Sequence, residues 1–310
     1  MYDLLIVGGG PGGVAAGVYA ARKKMKTALV TDSFGGQSLV SADVRNWIGT
    51  KSISGFDLAK MLEEHLRAQE DIEILDSDLV VSIEKTGTGF RAATKSGKAL
   101  ETKYVLVASG SRRKRLNIPG EDAFEGKGVA YCSICDAPLF KDKVVAVVGG
   151  GNAGLEAVLD LFPYASKIYL LEYSDSLKGD PVTQEKIKRN AKTEVILMAQ
   201  STEVVGEKMV TALRYIDRTT NEAKELKLDG VFVEIGIVPN SEIVKGLVEL
   251  NQAGEVVVDH KTMRTSAPGI WAVGDVSDVR YKQNNISAGD AVKAALNIYE
   301  TLQKAGEPTL

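Results

Sequence analysis

Short apolar runs that end in glycine-rich turns recur along the chain, and helical stretches rich in Ala and Gly follow them. The runs are almost continuously apolar, which is typical of strands buried on both faces of a parallel sheet. Their alternation with helices predicts crossover connections and an α/β fold. The predicted strands cover residues 4–7, 26–31, 104–108, 144–148, 168–171, 230–235 and 269–273.

The pattern changes between residues 74 and 102, and again between residues 202 and 228. Apolar and polar residues alternate in these stretches, and turns such as Lys95-Ser96-Gly97 and Thr220-Asn221 interrupt the alternation. A period of two with short turns predicts a small antiparallel meander in each stretch.

The two halves of the chain repeat the same order of elements, once from Asp3 to Gly110 and again from Val144 to Gly236. The segment after the second repeat has no strand-rich unit of its own, so we expect it to complete the first domain. We therefore predict two Rossmann-like dinucleotide-binding domains with three-layer ββα architecture, the second inserted into the first. Residues 1–112 and 241–310 would form the first domain, and residues 113–240 the second.

Composition narrows the class of protein. The 310 residues include 38 Lys or Arg and 41 Asp or Glu, a net charge of −3, which argues against a nucleic-acid-binding protein. Apolar residues at 44% and charged residues at 25% are ordinary globular values. The sequence contains neither a signal peptide nor an apolar stretch long enough to span a membrane, so we expect a soluble, cytoplasmic protein without membrane association.

The first glycine-rich turn has the spacing Gly-x-Gly-x-x-Gly between a predicted strand and helix. This spacing allows a tight turn, close approach of a pyrophosphate to the backbone, and close packing of the helix on the strand. Asp32 ends the next predicted strand, where a carboxylate can accept hydrogen bonds from a ribose. A sharp turn without a ligand is the alternative. The candidate cofactor-binding residues are Gly8, Gly10, Pro11, Gly12, Gly13 and Asp32.

The second glycine-rich turn repeats this pattern, and Glu172 ends the strand that follows it. A solvated strand-end carboxylate is the alternative for Glu172. Two such turns indicate two dinucleotides, of which one can be a flavin and the other a nicotinamide. The second set of candidate residues is Gly149, Gly151, Asn152, Ala153, Gly154 and Glu172.

Cys132 and Cys135 form a Cys-x-x-Cys pair just before the second turn. One thiolate can attack a disulfide while the other resolves the intermediate, so the spacing indicates redox chemistry. Asp136 is the nearby candidate for proton transfer because no histidine lies near the pair in the sequence. Two buried packing cysteines are the alternative. A zinc site would need two further ligands, and no metal is expected.

Taken together, these residues resemble the low-molecular-weight thioredoxin reductases and the reductase portion of the alkyl hydroperoxide reductase flavoprotein. The resemblance covers almost the whole chain. It rests on GGGPGG at 8–13, GGQ at 35–37, VRNWIG at 44–49, ASG at 108–110, YCSICDAPLF at 131–140, GGGNAGLE at 149–156, GIVPN at 236–240 and GIWAVGDV at 269–276.

The resemblance implies noncovalent FAD in the first domain, a nicotinamide nucleotide in the second, and a homodimer. Cys135 would face the flavin, Cys132 would attack the protein substrate, and Asp136 would act as acid or base. The additional cofactor-binding residues that the resemblance implies are Gly35, Gly36, Gln37, Asn46, Gly110, Gly236, Gly274, Asp275, Gln283 and Asn284.

The sequence departs from the NADPH-using members of the family, which carry His-Arg-Arg and a further Arg after the second domain's second strand. Here the run is Glu172-Tyr173-Ser174, with Lys178 at the last position. We therefore expect NADH to be preferred over NADPH. The sequence also lacks the N-terminal thioredoxin-like modules of the hydroperoxide reductase relatives, so we expect a separate thioredoxin- or glutaredoxin-like protein to accept the electrons.

The predicted function is therefore an FAD-dependent protein-disulfide reductase that passes electrons from NADH to a thioredoxin- or glutaredoxin-like disulfide through the Cys132–Cys135 pair. One alternative keeps this output and replaces the nicotinamide by ferredoxin or another donor. A second alternative is a redox sensor that binds nucleotides and switches a binding surface without turnover.

Overall fold

The computed structural model describes residues 1–41 and 43–306. Its strands are β1 (Tyr2–Gly9), β2 (Thr27–Phe34), β3 (Ile72–Leu75), β4 (Val80–Lys85), β5 (Phe90–Thr94), β6 (Ala99–Val107), β7 (Ser111–Arg113), β8 (Val129–Ala130), β9 (Val144–Val148), β10 (Lys167–Leu171), β11 (Thr193–Ile196), β12 (Ala199–Gly206), β13 (Val210–Asp217), β14 (Glu222–Lys227), β15 (Gly230–Val233), β16 (Ile237–Pro239) and β17 (Ile270–Ala272).

The α-helices are α1 (Pro11–Arg22), α2 (Gly55–Arg67), α3 (Ser133–Asp136), α4 (Asn152–Leu161), α5 (Pro181–Arg189) and α6 (Asn284–Gly306). Short 3₁₀ helices cover Gly36–Val40, Ala137–Phe140, Glu242–Val244 and Gly274–Val276. Over the described part of the chain, no helix is both long and apolar enough to cross a membrane.

The chain divides into two compact units. Unit 1 comprises Met1–Val40, Val44–Arg112 and Val238–Leu310, and unit 2 comprises Ser41–Asp43 and Arg113–Ile237. Strands β7 and β16 form a separate two-stranded sheet.

Unit 1 is built on a sheet with the strand order β3-β2-β1-β6-β5-β4, to which β17 adds beside β6. Strands β3, β2, β1, β6 and β17 are parallel, whereas β4, β5 and the start of β6 are antiparallel. The predicted meander is therefore wrong at its first residues, because Ile74 pairs in parallel with Leu29. An alternating pattern describes a half-buried edge strand of either direction, so it did not distinguish the two.

Unit 2 contains a parallel sheet with the order β11-β10-β9-β15-β8 and an antiparallel sheet β12-β13-β14. The second predicted meander is confirmed by this antiparallel sheet. Along β9, Val145 and Val147 lie in one core cluster, while Ala146 and Val148 lie in another. Successive side chains of a strand point to opposite faces, so β9 is buried on both faces as its apolar run predicts. The predicted α/β class is confirmed.

Candidate redox and dinucleotide sites

The second glycine-rich turn connects β9 to α4 within unit 2. A side chain at Gly154 would collide with the carbonyl oxygen of Gly149, so the helix can pack closely on the strand only without one. Gly151 instead faces open space, with no heavy atom within 4 Å of an added Cβ. This combination of tight packing and an open backbone before a helix N-terminus suits a pyrophosphate.

Glu172 follows β10 and hydrogen-bonds to this turn. Its Oε2 accepts a hydrogen bond of 2.6 Å from Gly150 N, and its Oε1 accepts one of 2.8 Å from Ser174 N. Burial alone raises the pKa of Glu172, but these hydrogen bonds and the charge of Lys178 outweigh burial and lower the pKa. The side chain is only 9% exposed, so it is a buried anion and not the solvated carboxylate of the alternative interpretation.

The cysteine pair lies in the same unit. Cys132 caps the short helix α3, Cys135 lies within it, and the two form a disulfide with a Cα–Cα distance of 5.4 Å. Both cysteines are half-buried, while Ile134 between them is 58% exposed. The alternative of two buried packing cysteines is therefore wrong, because the two residues are bonded to each other and are only half-buried.

Asp136 ends α3, and its backbone N–H donates a hydrogen bond of 3.0 Å to the carbonyl oxygen of Cys132. Burial raises the pKa of Asp136 to about 6, although the positive charge of Arg113 opposes the rise. A carboxyl group with this pKa exchanges protons close to neutral pH, which suits an acid or base.

Glu234 is a second carboxyl group beside the disulfide helix, and it was not among the predicted site residues. Burial raises the pKa of Glu234 to about 7, against the opposing effects of Arg113 and a backbone hydrogen bond from Ser133. The charges of Asp160 and Asp136 add to the rise. The available signal was an acidic residue that interrupts the apolar run at residues 230–235, because a charge in a buried strand needs a reason.

The first glycine-rich turn connects β1 to α1 in unit 1 and repeats the geometry of the second. A side chain at Gly13 would collide with the carbonyl oxygen of Gly8, whereas an added Cβ at Gly10 would have only Gly36 Cα nearby, at 3.9 Å. Pro11 begins α1, a position whose backbone N–H would have no partner within the helix, so a proline costs no hydrogen bond there. Asp32 lies in β2 with an exposed side chain.

Polar side chains from distant segments of unit 1 meet each other. Gln37 Nε2 donates hydrogen bonds of 3.0 Å to Asp275 Oδ2 and 2.9 Å to Ser111 Oγ. Asn46 Nδ2 donates one of 3.2 Å to Gln283 Oε1. These four predicted residues thus form two contacts, and Ser111 belongs to the same cluster although no sequence motif predicted it.

Two further polar residues extend this cluster without having been predicted. Asn284 Nδ2 donates a hydrogen bond of 2.7 Å to Ser38 Oγ, and Asn285 Nδ2 donates one of 2.6 Å to the carbonyl oxygen of Asn46. No local pattern marks Ser38 or Asn285, because each is defined by a partner more than 200 residues away.

The remaining predicted residues occupy turns or helix starts. Gly35, Gly36, Gly110 and Gly274 have positive φ in unit 1, and Gly236 has positive φ in unit 2. Gly12 lies in the first turn of α1, and Asn152 and Ala153 lie in the first turn of α4. The carbonyl oxygen of Gly236 accepts a hydrogen bond of 3.0 Å from Lys114 N. Unit 1 therefore offers an open backbone turn and clustered amide and carboxylate groups, a donor set that fits FAD.

Comparison with known proteins identifies the family. The model of the pyridine nucleotide-disulphide oxidoreductase family matches residues 2–297. The chain belongs to this family. The family implies FAD and a nicotinamide cofactor, so this oxidoreductase is an enzyme of the class that the motifs predicted.

Two relatives show how far the similarity extends. An alkyl hydroperoxide reductase protein from Staphylococcus epidermidis is 43% identical to this oxidoreductase over 299 residues, covering 96% of this chain and 59% of the relative. A Bacillus subtilis protein named NADH dehydrogenase is 42% identical over 301 residues, covering 97% of this chain and 58% of that protein. The oxidoreductase chain thus spans less than two thirds of the length of these relatives.

Solved structures of thioredoxin reductases match the same chain over nearly its full length. The enzyme from Streptococcus pyogenes is 32% identical with a TM-score of 0.90, covering 98% of this chain and 99% of that chain. The enzyme from T. acidophilum is 37% identical with a TM-score of 0.68, covering 97% and 99%. The predicted resemblance to thioredoxin reductases and to the hydroperoxide reductase flavoprotein is confirmed.

Proposed function

We propose that this oxidoreductase is an FAD-dependent protein-disulfide reductase that prefers NADH and reduces a thioredoxin- or glutaredoxin-like disulfide. One observation carries the proposal: unit 2 combines a formed Cys132–Cys135 disulfide with a dinucleotide turn whose strand-end acid, Glu172, is a buried anion. A dithiol and a nucleotide site on one unit are what a reductase needs, and an anionic Glu172 favours a ribose without a 2′-phosphate.

The residues divide between two nucleotides. In unit 1, the turn from Gly8 to Gly13 would hold the FAD pyrophosphate, and the cluster of Gln37, Asn46 and Asp275 would hold the rest of the molecule. In unit 2, the turn from Gly149 to Gly154 would hold the nicotinamide dinucleotide, with Glu172 on its adenosine ribose. Bound FAD would supply a two-electron carrier between the nicotinamide and the cysteine pair.

The reduced Cys132–Cys135 pair would transfer two electrons to each acceptor disulfide. The Cys132 thiolate attacks one sulfur of the acceptor, so a mixed disulfide forms and the other acceptor sulfur leaves as a thiolate. The Cys135 thiolate then attacks the Cys132 sulfur, releases the second acceptor thiolate and restores the Cys132–Cys135 disulfide. Each released thiolate takes up one proton. Cys132 is the N-cap residue of α3, and a helix N-terminus favours the thiolate form of a cysteine, which supports its role as the attacking residue.

Asp136 would hold the proton that the cysteine pair gains and loses in each cycle. Its raised pKa allows it to carry a proton at neutral pH, and its backbone is hydrogen-bonded to Cys132. Asp136 directly follows Cys135 and lies in the same helical turn, so this role needs no histidine.

The test uses the FAD-loaded protein, NADH and an oxidised thioredoxin. We expect NADH to bleach the flavin absorbance without acceptor, and we expect many acceptor disulfides to be reduced per enzyme when acceptor is added. If neither NADH nor NADPH bleaches the flavin, another donor supplies the electrons. If the flavin is bleached but acceptor reduction stops at one turnover, the sensor alternative is correct.

A further inference from the structure

Tyr173 and Arg218 form a stacked pair next to the proposed nicotinamide nucleotide site. Tyr173 directly follows Glu172 and is 55% exposed. Arg218, which directly follows β13, places its Cζ 3.9 Å from the centre of the Tyr173 ring. Its Nη1 also donates a hydrogen bond of 2.9 Å to the carbonyl oxygen of Tyr173. A residue 45 positions away in the sequence thus lies against the strand end that carries the ribose-binding acid.

Backbone hydrogen bonds fix this arrangement. Arg218 N donates to the carbonyl oxygen of Met198 at 2.8 Å, and Met198 N donates to that of Ser174 at 2.9 Å. The turn after β13 is therefore tied through Met198 to the segment that follows Glu172. The backbone of Arg218 is therefore held beside this segment, and the bond from Nη1 to the Tyr173 carbonyl oxygen orients the guanidinium.

Arg218 differs from the other cations of the same antiparallel sheet. Arg214 pairs with Glu203 and Glu225, and Lys224 pairs with Asp217. Within residues 1–41 and 43–306, no carboxylate pairs with Arg218, although its side chain is exposed. An arginine that is stacked on a tyrosine and lacks an acidic partner offers its second planar face to a ligand.

We propose that the Tyr173–Arg218 stack is the platform on which the adenine of the nicotinamide dinucleotide packs. The inference rests on the proposed function, because it takes unit 2 as the nicotinamide nucleotide site. Glu172 would bind the adenosine ribose, and adenine is attached to that ribose, so the base lies beside the residues that follow Glu172. Bases stack on aromatic rings and on guanidinium planes. The platform reads adenine, which NADH and NADPH share.

Binding to the FAD-loaded protein tests the platform without requiring turnover. We would measure dissociation constants of NAD⁺, NADP⁺, AMP and nicotinamide mononucleotide by titration calorimetry. We expect Arg218→Ala to weaken binding of AMP, NAD⁺ and NADP⁺ by a similar factor of about fivefold or more, the effect of losing one stacking contact. Binding of nicotinamide mononucleotide, which lacks adenine, should not change.

Two further variants distinguish the role of the planar guanidinium from that of its charge and from a general loss of structure. Arg218→Lys keeps the positive charge but lacks the planar guanidinium, so we expect it to lose most of the nucleotide affinity that Arg218→Ala loses. Arg214→Ala removes an arginine of the same sheet that is already paired with carboxylates, so AMP binding should stay as in the wild type.

Several outcomes would overturn the platform. Unchanged AMP binding by Arg218→Ala would exclude a contact with adenine, and a loss confined to NADP⁺ would make Arg218 a phosphate ligand instead. Recovery of binding in Arg218→Lys would show that charge alone matters. If the wild-type protein binds none of the adenine nucleotides, the proposed function fails together with the platform, whereas wild-type binding with an unaffected variant overturns the platform alone.

Discussion

The hydroxyl of Ser133 donates a hydrogen bond of 2.8 Å to Asp160 Oδ2. Ser133 directly follows Cys132 and begins α3, and Asp160 lies in α4, the helix that the second glycine-rich turn opens. The bond therefore connects the disulfide helix to the helix of the nucleotide turn within unit 2. Ser133 is only 8% exposed, so water does not readily replace it as a partner.

Ser133→Ala should destabilise unit 2, because it leaves a carboxylate oxygen of Asp160 without its hydroxyl donor. We expect a loss of about 1–2 kcal/mol in the free energy of unfolding, measured by urea denaturation. The matched control is Ser176→Ala, which removes an exposed hydrogen bond to Asp175 and should cost less than about 0.5 kcal/mol. Equal effects of the two variants would show that the Ser133–Asp160 bond contributes no more to stability than an exposed hydrogen bond.

Replacing either cysteine should abolish reduction of protein disulfides and leave FAD content unchanged, because the proposed FAD residues lie in unit 1. Cys135→Ser should form a stable mixed disulfide with oxidised thioredoxin, since nothing resolves the bond at Cys132. Cys132→Ser should form none. Non-reducing gels and the flavin-to-protein absorbance ratio measure both outcomes, and substantial turnover by either variant would contradict the assigned roles.

Asp136→Asn should slow disulfide reduction by roughly 10²- to 10⁴-fold, the usual contribution of a positioned acid or base. A raised pKa of about 6 predicts that wild-type turnover depends on pH near that value, and that this dependence is absent from the variant. The measurement is kcat against pH, with flavin content as the control for folding. A variant as fast as the wild type would make Asp136 a structural residue.

Glu172→Gln should reduce the preference for NADH. A 2′-phosphate at about 4 Å from the Glu172 carboxylate meets a repulsion of about 4 kcal/mol at an effective dielectric of about 20. Solvent and salt reduce this, and even about 1.4 kcal/mol corresponds to a tenfold preference. We expect the ratio of kcat/KM for NADH to that for NADPH to fall about tenfold at fixed ionic strength. Glu207→Gln, an exposed position in unit 2, should leave the ratio unchanged.

Glu234→Gln should make the folding stability of the protein less sensitive to rising pH. Folding raises the pKa of Glu234 from 4.5 to about 7, so the folded state holds more protons than the unfolded state between these values. Stability from this group is complete below the ordinary pKa and is lost as pH rises towards 7.

As pH rises from 4.5 to 8, the free energy of unfolding of Glu234→Gln should therefore increase relative to that of the wild type by up to about 3 kcal/mol. This figure corresponds to about 1.36 kcal/mol per pKa unit. Thermal unfolding midpoints of both proteins across this pH range measure the difference. A constant difference between the two midpoints would show that Glu234 has the same pKa in the folded and unfolded states.

Several features of this protein follow from the sequence by itself. The uninterrupted apolar run of β9 predicts burial on both faces, and the structure distributes its residues between two core clusters. The glycine spacing predicts two turns that begin helices, and both helices begin there. The Cys-x-x-Cys spacing places both cysteines at one short helix. Each of these features is local, because periodicity, turn geometry and helix starts depend on neighbouring residues.

Other features depend on which distant segments the sheets bring together. Glu234 reaches the disulfide helix because it follows β15, which pairs with both β8 and β9. Ser111 meets Gln37 and Asp275, and Arg218 meets Tyr173, only after strands far apart in the sequence have paired and packed. Strand order and side-chain contacts arise from non-local packing, and no spacing in the sequence encodes them. The tertiary structure therefore decided which carboxylates are buried beside the disulfide and which cation stacks on Tyr173.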